Sequence, residues 1–228
     1  MKSVFGIAIR TTIVTVVLTG LIYPFVITGL AQVLFPWRAN GSLVTDEKGQ
    51  VVGSELIAQG FSNPAYFQPR PSAAGEKGYD ATSSSGSNLG PTSKKLRDRI
   101  TEDLKRLEEQ NPQATGPVPA ELVTTSASGL DPHLSPEAML WQAPRVAKAR
   151  GISLERVKGV VESNIEGRTF GLLGEPRVNV LLVNLALDRR FGRAASVLAQ
   201  ENQVAKDTSN RSVATAQPTH ENTAASEK

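Results

Sequence analysis

Four side chains near the middle of the chain are of the types that hydrolytic enzymes combine, namely Ser126, Ser128, Asp131 and His133. A serine nucleophile, a histidine base and an aspartate together could form a catalytic triad. Residues this close in sequence seldom assemble one, and Pro132 stiffens the backbone between the aspartate and the histidine. We therefore expect a loop whose Asp and Ser side chains cap the following helix, and we keep a hydrolase as an alternative.

Other groups suited to chemistry are few. The sequence has 2 histidines and no cysteine, so it predicts neither a transition-metal site nor a cysteine nucleophile. It also lacks the glycine-rich loops that cradle phosphates in nucleotide-binding proteins. Several carboxylates could attract a cation and several arginines could anchor an interface, and the sequence leaves both open: Glu55, Asp80, Asp131, Glu175 and Asp188 on one side, Arg70, Arg145 and Arg177 on the other.

The first element that must position these groups is a membrane span. No charged side chain occurs from Thr11 to Trp37. A helix of that length extends about 40 Å, more than the roughly 30 Å hydrocarbon core of a bilayer. We predict a single-pass anchor over residues 1–38, helical over about residues 8–35, with Trp37 and Arg38 at the headgroup level.

The charges that flank the span predict its orientation in the cell inner membrane. Lys2 and Arg10 precede it, which favours a cytoplasmic N-terminus and an extracytoplasmic main domain. A cleaved signal peptide is the alternative, because Gly29-Leu30-Ala31 resembles a cleavage site. The apolar region before that site is about twenty residues long, whereas signal peptides usually have about 7–15, so an uncleaved anchor is favoured. Threonines and glycines in the span, with Pro24 bending it, favour packing against a membrane partner.

Composition predicts one ordinary domain after the anchor. The net charge is only +3 and aromatic residues are 5%, so a nucleic-acid-binding surface is not expected. We predict a single α+β domain over residues 39–192. Residues 193–228 are rich in Ser, Thr, Asn and charge, and we predict a disordered C-terminal tail there.

A long stretch without periodicity follows a predicted hairpin. Two β-prone runs, 42–45 and 50–53, flank a glycine-containing turn and predict the hairpin. Residues 60–91 are rich in Pro, Gly and Ser but also hold four aromatic side chains, which a disordered segment would seldom carry. We predict an ordered, irregular loop that forms a surface for a partner.

Helices and one strand complete the predicted domain. The first helix begins after Thr92 or Ser93 and continues to about Gln110, with an apolar stripe at Leu96, Ile100, Leu104 and Leu107. The second begins after Ser135 and is interrupted at Pro144, and the third extends from Ser153 to Gly167 with Ile165 on its inner face. The apolar run 178–187 favours a buried strand, although Asn179 and Asn184 break its alternation and leave a helix open.

Three long segments in order carry a family resemblance. The first comprises residues 66–73, Tyr79-Asp80 and residues 86–91; the second is residues 126–138 with Gln142 and residues 145–147; the third is residues 174–181 with residues 184–188. Together, behind one anchor helix, they closely resemble the C-subunit (KdpC) family of bacterial Kdp high-affinity potassium-transporting ATPases. The resemblance extends from the N-terminal helix to about Asp188.

The resemblance implies an accessory role within a larger complex. Its partners would be a channel-like subunit that binds potassium and a P-type ATPase subunit that ATP phosphorylates, besides the lipid bilayer. The family is described as a catalytic chaperone that raises the ATP affinity of the ATPase subunit, so ATP is implied through that subunit and no cofactor is expected on this chain alone. The chain lacks the Asp-Lys-Thr-Gly-Thr sequence of a P-type catalytic subunit, so we expect it not to be an enzyme.

We expect the loop of residues 60–91 and the segment 126–133 to dock on the potassium-binding subunit near its outer mouth. Arginine and aromatic side chains in a long loop favour such an interface. A stand-alone, membrane-anchored periplasmic binding module is the alternative. The candidate interface residues are Tyr66, Phe67, Arg70, Pro71, Ser72, Tyr79, Asp80, Gly86, Ser87, Asn88, Leu89, Gly90, Ser126, Ser128, Gly129, Asp131, His133, Gln142 and Arg145.

Overall fold

A long apolar helix leads into a mixed helical and β domain in the computed structural model, which describes residues 2–46 and 49–197. The predicted α+β class is confirmed. The helices are α1 (Lys2–Val16), α2 (Tyr23–Leu34), α3 (Pro36–Ala39), α4 (Lys94–Gln110), α5 (Pro136–Arg150), α6 (Leu154–Ser163) and α7 (Val180–Phe191). The strands are β1 (Leu43–Thr45), β2 (Val51–Ser54), β3 (His133–Leu134), β4 (Ile165–Glu166) and β5 (Arg177–Asn179).

The helix predicted as the membrane anchor, called the anchor helix below, is longer than the sequence predicts. Residues Ser3–Leu34 form one candidate span of mean hydropathy 2.2, with none of its most apolar window buried within the chain. Helix therefore begins several residues before position 8, and it continues through Arg10 because helical backbone bonds do not require apolar side chains. A helix of this length extends about 48 Å, so it exceeds the roughly 30 Å apolar core of a bilayer.

The middle of the anchor departs from α-helical geometry next to its proline. Residues Val17–Ile22 are π-helical, and the N–H of Tyr23 bonds to the carbonyl of Leu18. Pro24 has no N–H to offer the carbonyl of Gly20, so the regular ladder is interrupted at this point. Thr19 Oγ1 donates to the carbonyl of Thr15 at 2.7 Å, which shows how one hydroxyl in the span is satisfied by its own helix.

A small hairpin follows the anchor, as predicted. β1 and β2 pair antiparallel, although Glu47 and Lys48 in the connecting turn lie outside the described residues. Trp37 Nε1 donates to the carbonyl of Leu43 at 2.9 Å, and Ser54 Oγ donates to the carbonyl of Gly41 at 2.7 Å. These bonds join the end of the anchor to the hairpin.

The core lies between α5, α6 and α7 and a three-stranded sheet of order β3-β5-β4, with both pairs antiparallel. Met139 and Val146 of α5 pack with Val157 of α6 and Val183 of α7, all fully buried. Ser135 caps α5, since its hydroxyl accepts from the N–H of Ala138 at 3.1 Å, as the sequence predicts. Ser93 caps α4 in the same way, and the stripe of α4 packs against the core through Ile100, Leu104 and Leu107.

Pro144 does not interrupt α5, and that prediction was wrong. The helix continues to Arg150 and ends at Gly151, whose φ of +66° is left-handed. The proline removes one backbone bond, to the carbonyl of Leu140, but residues on both of its sides are buried in the core. Tertiary packing of α5 therefore outweighs the local cost of the proline.

Two other segments differ from the sequence prediction. Only Arg177–Asn179 is a strand, and Val180–Phe191 is helical, because the Asn179 side chain caps α7 by accepting from the N–H of Leu182 at 3.1 Å. A helix, the alternative kept for residues 178–187, is thus confirmed from Val180 onward. α6 ends at Ser163, so Ile165 lies on β4 rather than on the inner face of a helix.

The chain from Glu55 to Ser93 contains no helix or strand, yet parts of it are buried. Phe67, Ala65 and Ala74 are fully buried, and Phe61 packs on the core. The predicted ordered, irregular loop is therefore confirmed. At the other end of the domain, Ala194 and Val197 are buried against Ala65, so packing continues into the predicted tail as far as Val197. The remainder of the predicted disordered tail lies outside the described residues.

Candidate partner interface

Side-chain amides from two helices hold the start of the loop as a neighbouring strand would. Gln142 of α5 accepts from the N–H of Gln68 at 2.9 Å and donates to its carbonyl at 3.0 Å. Asn184 of α7 accepts from the N–H of Phe67 at 2.8 Å and donates to its carbonyl at 3.0 Å. Each amide satisfies both main-chain groups of one residue, the buried Phe67 or the half-buried Gln68, which explains how an extended segment without a sheet partner is kept inside the domain.

A buried guanidinium extends this support. Arg145 donates to the carbonyl oxygens of Pro64 at 2.7 Å and Tyr66 at 3.0 Å, and also to Asn111 and Gln142. Each of these partners is a neutral oxygen, and burial lowers the pKa of Arg145 to about 10. The bond to Gln142 Oε1 at 2.7 Å also fixes which way that amide faces.

An ion pair fastens the neighbouring turn to α5 and α7. Tyr66 Oη donates to Asp188 Oδ2 at 2.7 Å, and Arg150 Nη2 donates to Asp188 Oδ1 at 2.8 Å. Arg150 Nε also donates to the carbonyl of Ala65 at 2.7 Å. Burial and the hydrogen bond to the Asp188 carboxylate both raise the pKa of Tyr66 above its ordinary value.

The middle of the loop is joined to the 124–133 segment by Arg70. Its Nη1 lies 3.1 Å from Asp131 Oδ2, and its Nε donates to the carbonyl of Thr124 at 3.3 Å. The His133 side chain, with Nδ1 3.7 Å from Asp131 Oδ1, lowers the pKa of that carboxyl most, and Arg70 adds to the effect. Tyr79 Oη donates to the carbonyl of Arg70 at 2.9 Å, and burial raises the pKa of Tyr79 to about 12.

Ser72 is the centre of a second junction between the same two segments. Its hydroxyl donates to the carbonyl of Gly129 at 2.5 Å and accepts from the N–H groups of Ala74 and Tyr79. Gly129 has a φ of +68°, and a Cβ on it would lie 2.5 Å from the carbonyl oxygen of Ser85. Only glycine fits this contact without movement of the backbone.

Further contacts extend the junction along both segments. Ser85 Oγ donates to the carbonyl of Ala73 at 2.9 Å, and Ser84 Oγ donates to the carbonyl of Ser128 at 3.0 Å. A Cβ on Gly86 would lie 3.0 Å from the carbonyl oxygen of Ala127. Residues 70–86 and 124–131 therefore form one continuous surface, which we call the joined-loop surface.

The predicted interface residues divide by exposure. Phe67, Gln142 and Arg145 are buried, so in this conformation their side chains support the surface from inside, and Gly129 is buried at the contact between the two segments. Tyr66, Arg70, Pro71, Ser72, Tyr79, Gly86, Ser87, Leu89, Ser126, Asp131 and His133 are half-buried. Asp80, Asn88, Gly90 and Ser128 are exposed.

The serines near His133 have structural partners instead of a triad geometry. Ser126 Oγ accepts from the N–H of Gly129 at 2.9 Å, and Ser128 Oγ accepts from the N–H of Leu130 at 3.1 Å. Asp131 Oδ1 accepts from the N–H of His133 at 3.1 Å and so forms a turn. The next helix was expected to be capped by Asp and Ser side chains of this loop, but Ser135 caps it by accepting from the N–H of Ala138. The N–H and the hydroxyl of Ser135 both donate to Glu121.

Within residues 2–46 and 49–197, acidic and histidine side chains do not cluster in groups of three or more that could hold a metal ion. Arg150 and Asn184 both hold the loop, although neither is predicted as a site residue from the sequence. The position of Asn184 inside an apolar run could have indicated its role, because a buried amide requires hydrogen-bonding partners.

Comparison with known proteins identifies the family. Residues 5–189 match the family described as KdpC: K+-transporting ATPase, c chain. A potassium-transporting ATPase KdpC subunit from Myxococcus xanthus is 69% identical over 192 residues, covering 84% of this chain and 90% of that protein. Proteins of the same name from Rhodospirillum rubrum and a Caulobacter species are 57% and 55% identical, covering 76% and 77% of this chain and 89% and 88% of their own lengths. The chain therefore belongs to the KdpC family, the c chain of K+-transporting ATPases.

Proposed function

We propose that this chain is the accessory, non-catalytic subunit of a high-affinity, ATP-driven potassium uptake pump. The observation that carries the proposal is the joined-loop surface. Its polar side chains are committed to holding two irregular segments together, as Arg70 and Ser72 show, rather than to a catalytic geometry. A rigid surface of this kind suits binding to another protein, because little conformational entropy is lost when it docks.

The partner of the joined-loop surface in this proposal is the channel-like, potassium-binding subunit, near its outer mouth. Asp80 and Ser128 are exposed on this surface, Asn88 is exposed just beyond it, and these side chains offer the first contacts. The Arg70–Asp131 ion pair behind them keeps the two segments in register. The buried residues Gln142 and Arg145 act indirectly, by fixing the loop.

A matched pair of charge reversals tests this docking site. Asp80 and Asp98 are both exposed, the first on the loop and the second on α4. We expect Asp80→Lys to lower co-purification of the potassium-binding subunit and to raise the potassium concentration needed for half-maximal ATPase activity, while Asp98→Lys changes neither. Equal behaviour of the two variants would contradict the proposed site.

The proposal places the main domain outside the inner membrane, with the N-terminus in the cytoplasm. The candidate span and the flanking charges support this orientation. The chain contains no cysteine, so Glu102→Cys on the exposed side of α4 creates a unique labelling site. We expect a membrane-impermeant maleimide to label it in spheroplasts. Labelling only after the membrane is broken would overturn the orientation.

The chain acts on ATP affinity, in this proposal, through the conformation of the ATPase subunit. A domain outside the membrane meets little ATP, so it must bind one conformation of the pump more tightly than another. We expect the purified complex without this chain to bind ATP more weakly and to be recovered in lower yield. Equal ATP affinity with and without the chain would contradict the chaperone role, and recovery of the chain alone from gently solubilised membranes would favour a stand-alone binding module.

A further inference from the structure

The β4–β5 hairpin carries an apolar tip that the domain leaves uncovered. Phe170 is 90% exposed, Leu172 is 80% exposed and Leu173 is 63% exposed. All residues from 167 to 177 are exposed. Exposed apolar side chains that adjoin one another in this way mark interaction sites more often than isolated ones do.

The hairpin holds its tip in a defined shape. Glu166 pairs with Arg177 through both the strand register and an ion pair, in which Arg177 Nε lies 3.0 Å from Glu166 Oε2. Closer to the tip, Arg168 Nη2 lies 2.7 Å from Glu175 Oε2. Thr169 and Leu173 exchange backbone hydrogen bonds of 2.8 and 3.0 Å.

The backbone at the tip takes a form that favours exposure of the ring. Phe170 has a φ of +55°, which is rare for an aromatic residue, and Gly171 follows with a φ of +74°. This conformation turns the chain sharply at its most apolar point. The phenyl ring is nevertheless almost fully exposed, so the strain is not offset by packing within the chain.

The base of the hairpin adjoins the point where the chain leaves the membrane. A cleft of about 500 Å³ is lined by Trp37 and Arg38 at the end of the anchor and by Glu166 and Arg177 at the base of the hairpin. Phe170 and Leu173 each lie four positions along the chain from the base, at Glu166 and Arg177, so the tip extends up to roughly 13 Å from this cleft. Its partner must therefore lie close to the outer membrane–water interface.

The side chains of the tip suit a protein partner better than a lipid surface. Segments that lie on a lipid surface combine apolar side chains such as Phe and Leu with Trp or Tyr at the headgroup level and with free basic side chains. Residues 169–174 have the apolar side chains but no Trp, Tyr or basic residue, and both arginines of the hairpin are paired with glutamates. An apolar centre ringed by satisfied polar groups is instead the usual anatomy of a protein interface, in which an aromatic anchor fills a pocket.

We propose that Phe170, Leu172 and Leu173 dock into an apolar pocket on another subunit of the same ATPase, at the outer edge of the membrane. This inference rests on the proposed function, since it requires the assembled pump. It adds a contact separate from the joined-loop surface. The tip, the anchor and the joined loops then fix the orientation of the domain at three points.

A double variant tests whether the tip supports assembly. We expect Phe170→Ser with Leu172→Ser to lower recovery of the ATPase subunits with the full chain from native membranes by about tenfold, the effect of losing one hot-spot contact. Val51→Ser is the control, because it removes an exposed apolar side chain of β2 outside the tip. The thermal unfolding midpoint of each purified chain should match that of the wild type. Undiminished recovery of the double variant would overturn the proposal.

Cross-linking distinguishes a protein pocket from lipid. Because the chain has no cysteine, Leu172→Cys can carry a photoreactive benzophenone maleimide at a unique position. An adduct with a pump subunit in the assembled complex is the expected result. Adducts with lipid alone, or none while the subunits still co-purify, would overturn the inference and leave the proposed function intact. A wild-type chain that recovers no pump subunits would overturn both.

Discussion

At the scale of single residues, the candidate interface depends on side chains that a partner does not touch. Gln142 and Asn184 satisfy the main-chain groups of Gln68 and Phe67, so the loop is held without a neighbouring strand. Arg145 fixes Gln142 in turn. Loss of Arg145 would remove a donor from the buried oxygens of Asn111 and Gln142, which is costly in a dry interior.

Replacement of Arg145 should measure that support. We expect Arg145→Met to lower the free energy of unfolding by about 3 kcal/mol, because the buried side-chain oxygens of Asn111 and Gln142 each lose a donor. Lys148 lies on the same helix with its side chain exposed, so Lys148→Met should change stability by less than about 0.5 kcal/mol. Urea unfolding of the purified chain in micelles checks both values. Similar losses for the two variants would refute the structural role of Arg145.

Two glycines of matched backbone conformation isolate the contact between the joined loops. Gly129 and Gly151 have φ values of +68° and +66°, but only Gly129 faces backbone atoms closer than 3.0 Å to an added Cβ. Gly151→Ala should cost about 1 kcal/mol for the left-handed conformation alone. Gly129→Ala should cost at least about 1 kcal/mol more and should also weaken co-purification of the potassium-binding subunit. An equal loss of unfolding free energy in the two variants would show that the two segments can move apart at no cost in stability.

Two tyrosines of the loop predict a loss of stability in alkali. Folding raises the pKa of Tyr66 and Tyr79 above the ordinary value of 10.0, because burial disfavours the phenolate. The neutral form is thus favoured in the folded state, so this stabilisation is complete below pH 10 and is lost as the pH rises through the folded-state values. From pH 8 to 11 the wild type should lose up to about 1 kcal/mol per tyrosine more than a Tyr66→Phe, Tyr79→Phe variant does, after allowance for solvent screening. If urea titrations showed the same loss of unfolding free energy between pH 8 and 11 in the wild type and in the double variant, this prediction would be contradicted.

At the scale of elements, local signals predicted helix starts well and helix interiors poorly. Ser93 and Ser135 cap α4 and α5 as their sequence contexts indicate. The run 178–187 misled because β-branched residues favour a strand locally, whereas Asn179 acts as a helix cap and Asn184 points into the core. That role depends on the loop around Phe67, which is distant in sequence, so no local pattern could reveal it.

Tertiary packing keeps α5 helical at Pro144 despite the missing backbone bond, so replacing this proline should stabilise the chain. Pro144→Ala restores an N–H to the carbonyl of Leu140 and should raise the free energy of unfolding by about 1–3 kcal/mol, less the entropy that proline removes from the unfolded chain. Pro136 is the matched control, because it occupies the first turn of the same helix, where no backbone bond is lost. Pro136→Ala should leave stability unchanged or slightly lower. A gain at position 136 and none at position 144 would refute the argument.

At the scale of the whole molecule, the proposed accessory role would require communication across the membrane. The domain follows one long helix whose middle is π-helical, and hydrogen bonds at Trp37 and Ser54 join the helix end to the β1–β2 hairpin. The joined-loop surface and the hairpin tip would add contacts on the outer side. A domain held at several points would favour the pump conformation in which all of these contacts form together. By favouring one conformation in this way, an outer domain would change the affinity of a cytoplasmic site.

This coupling must be reciprocal, and reciprocity gives the last prediction. If the chain raises the ATP affinity of the pump by some factor, ATP must raise the affinity of the pump for the chain by the same factor. A coupling of about 1–3 kcal/mol corresponds to about 5–150-fold. The two dissociation constants can be measured with a non-hydrolysable ATP analogue and with a chain labelled at Glu102→Cys, each in the presence and absence of the other ligand. Both factors are expected to exceed one, because a change in conformation links the two sites. If neither dissociation constant changed while the chain still lowered the ATP concentration needed for half-maximal hydrolysis, the effect on ATP would arise in a kinetic step instead of in the conformational equilibrium.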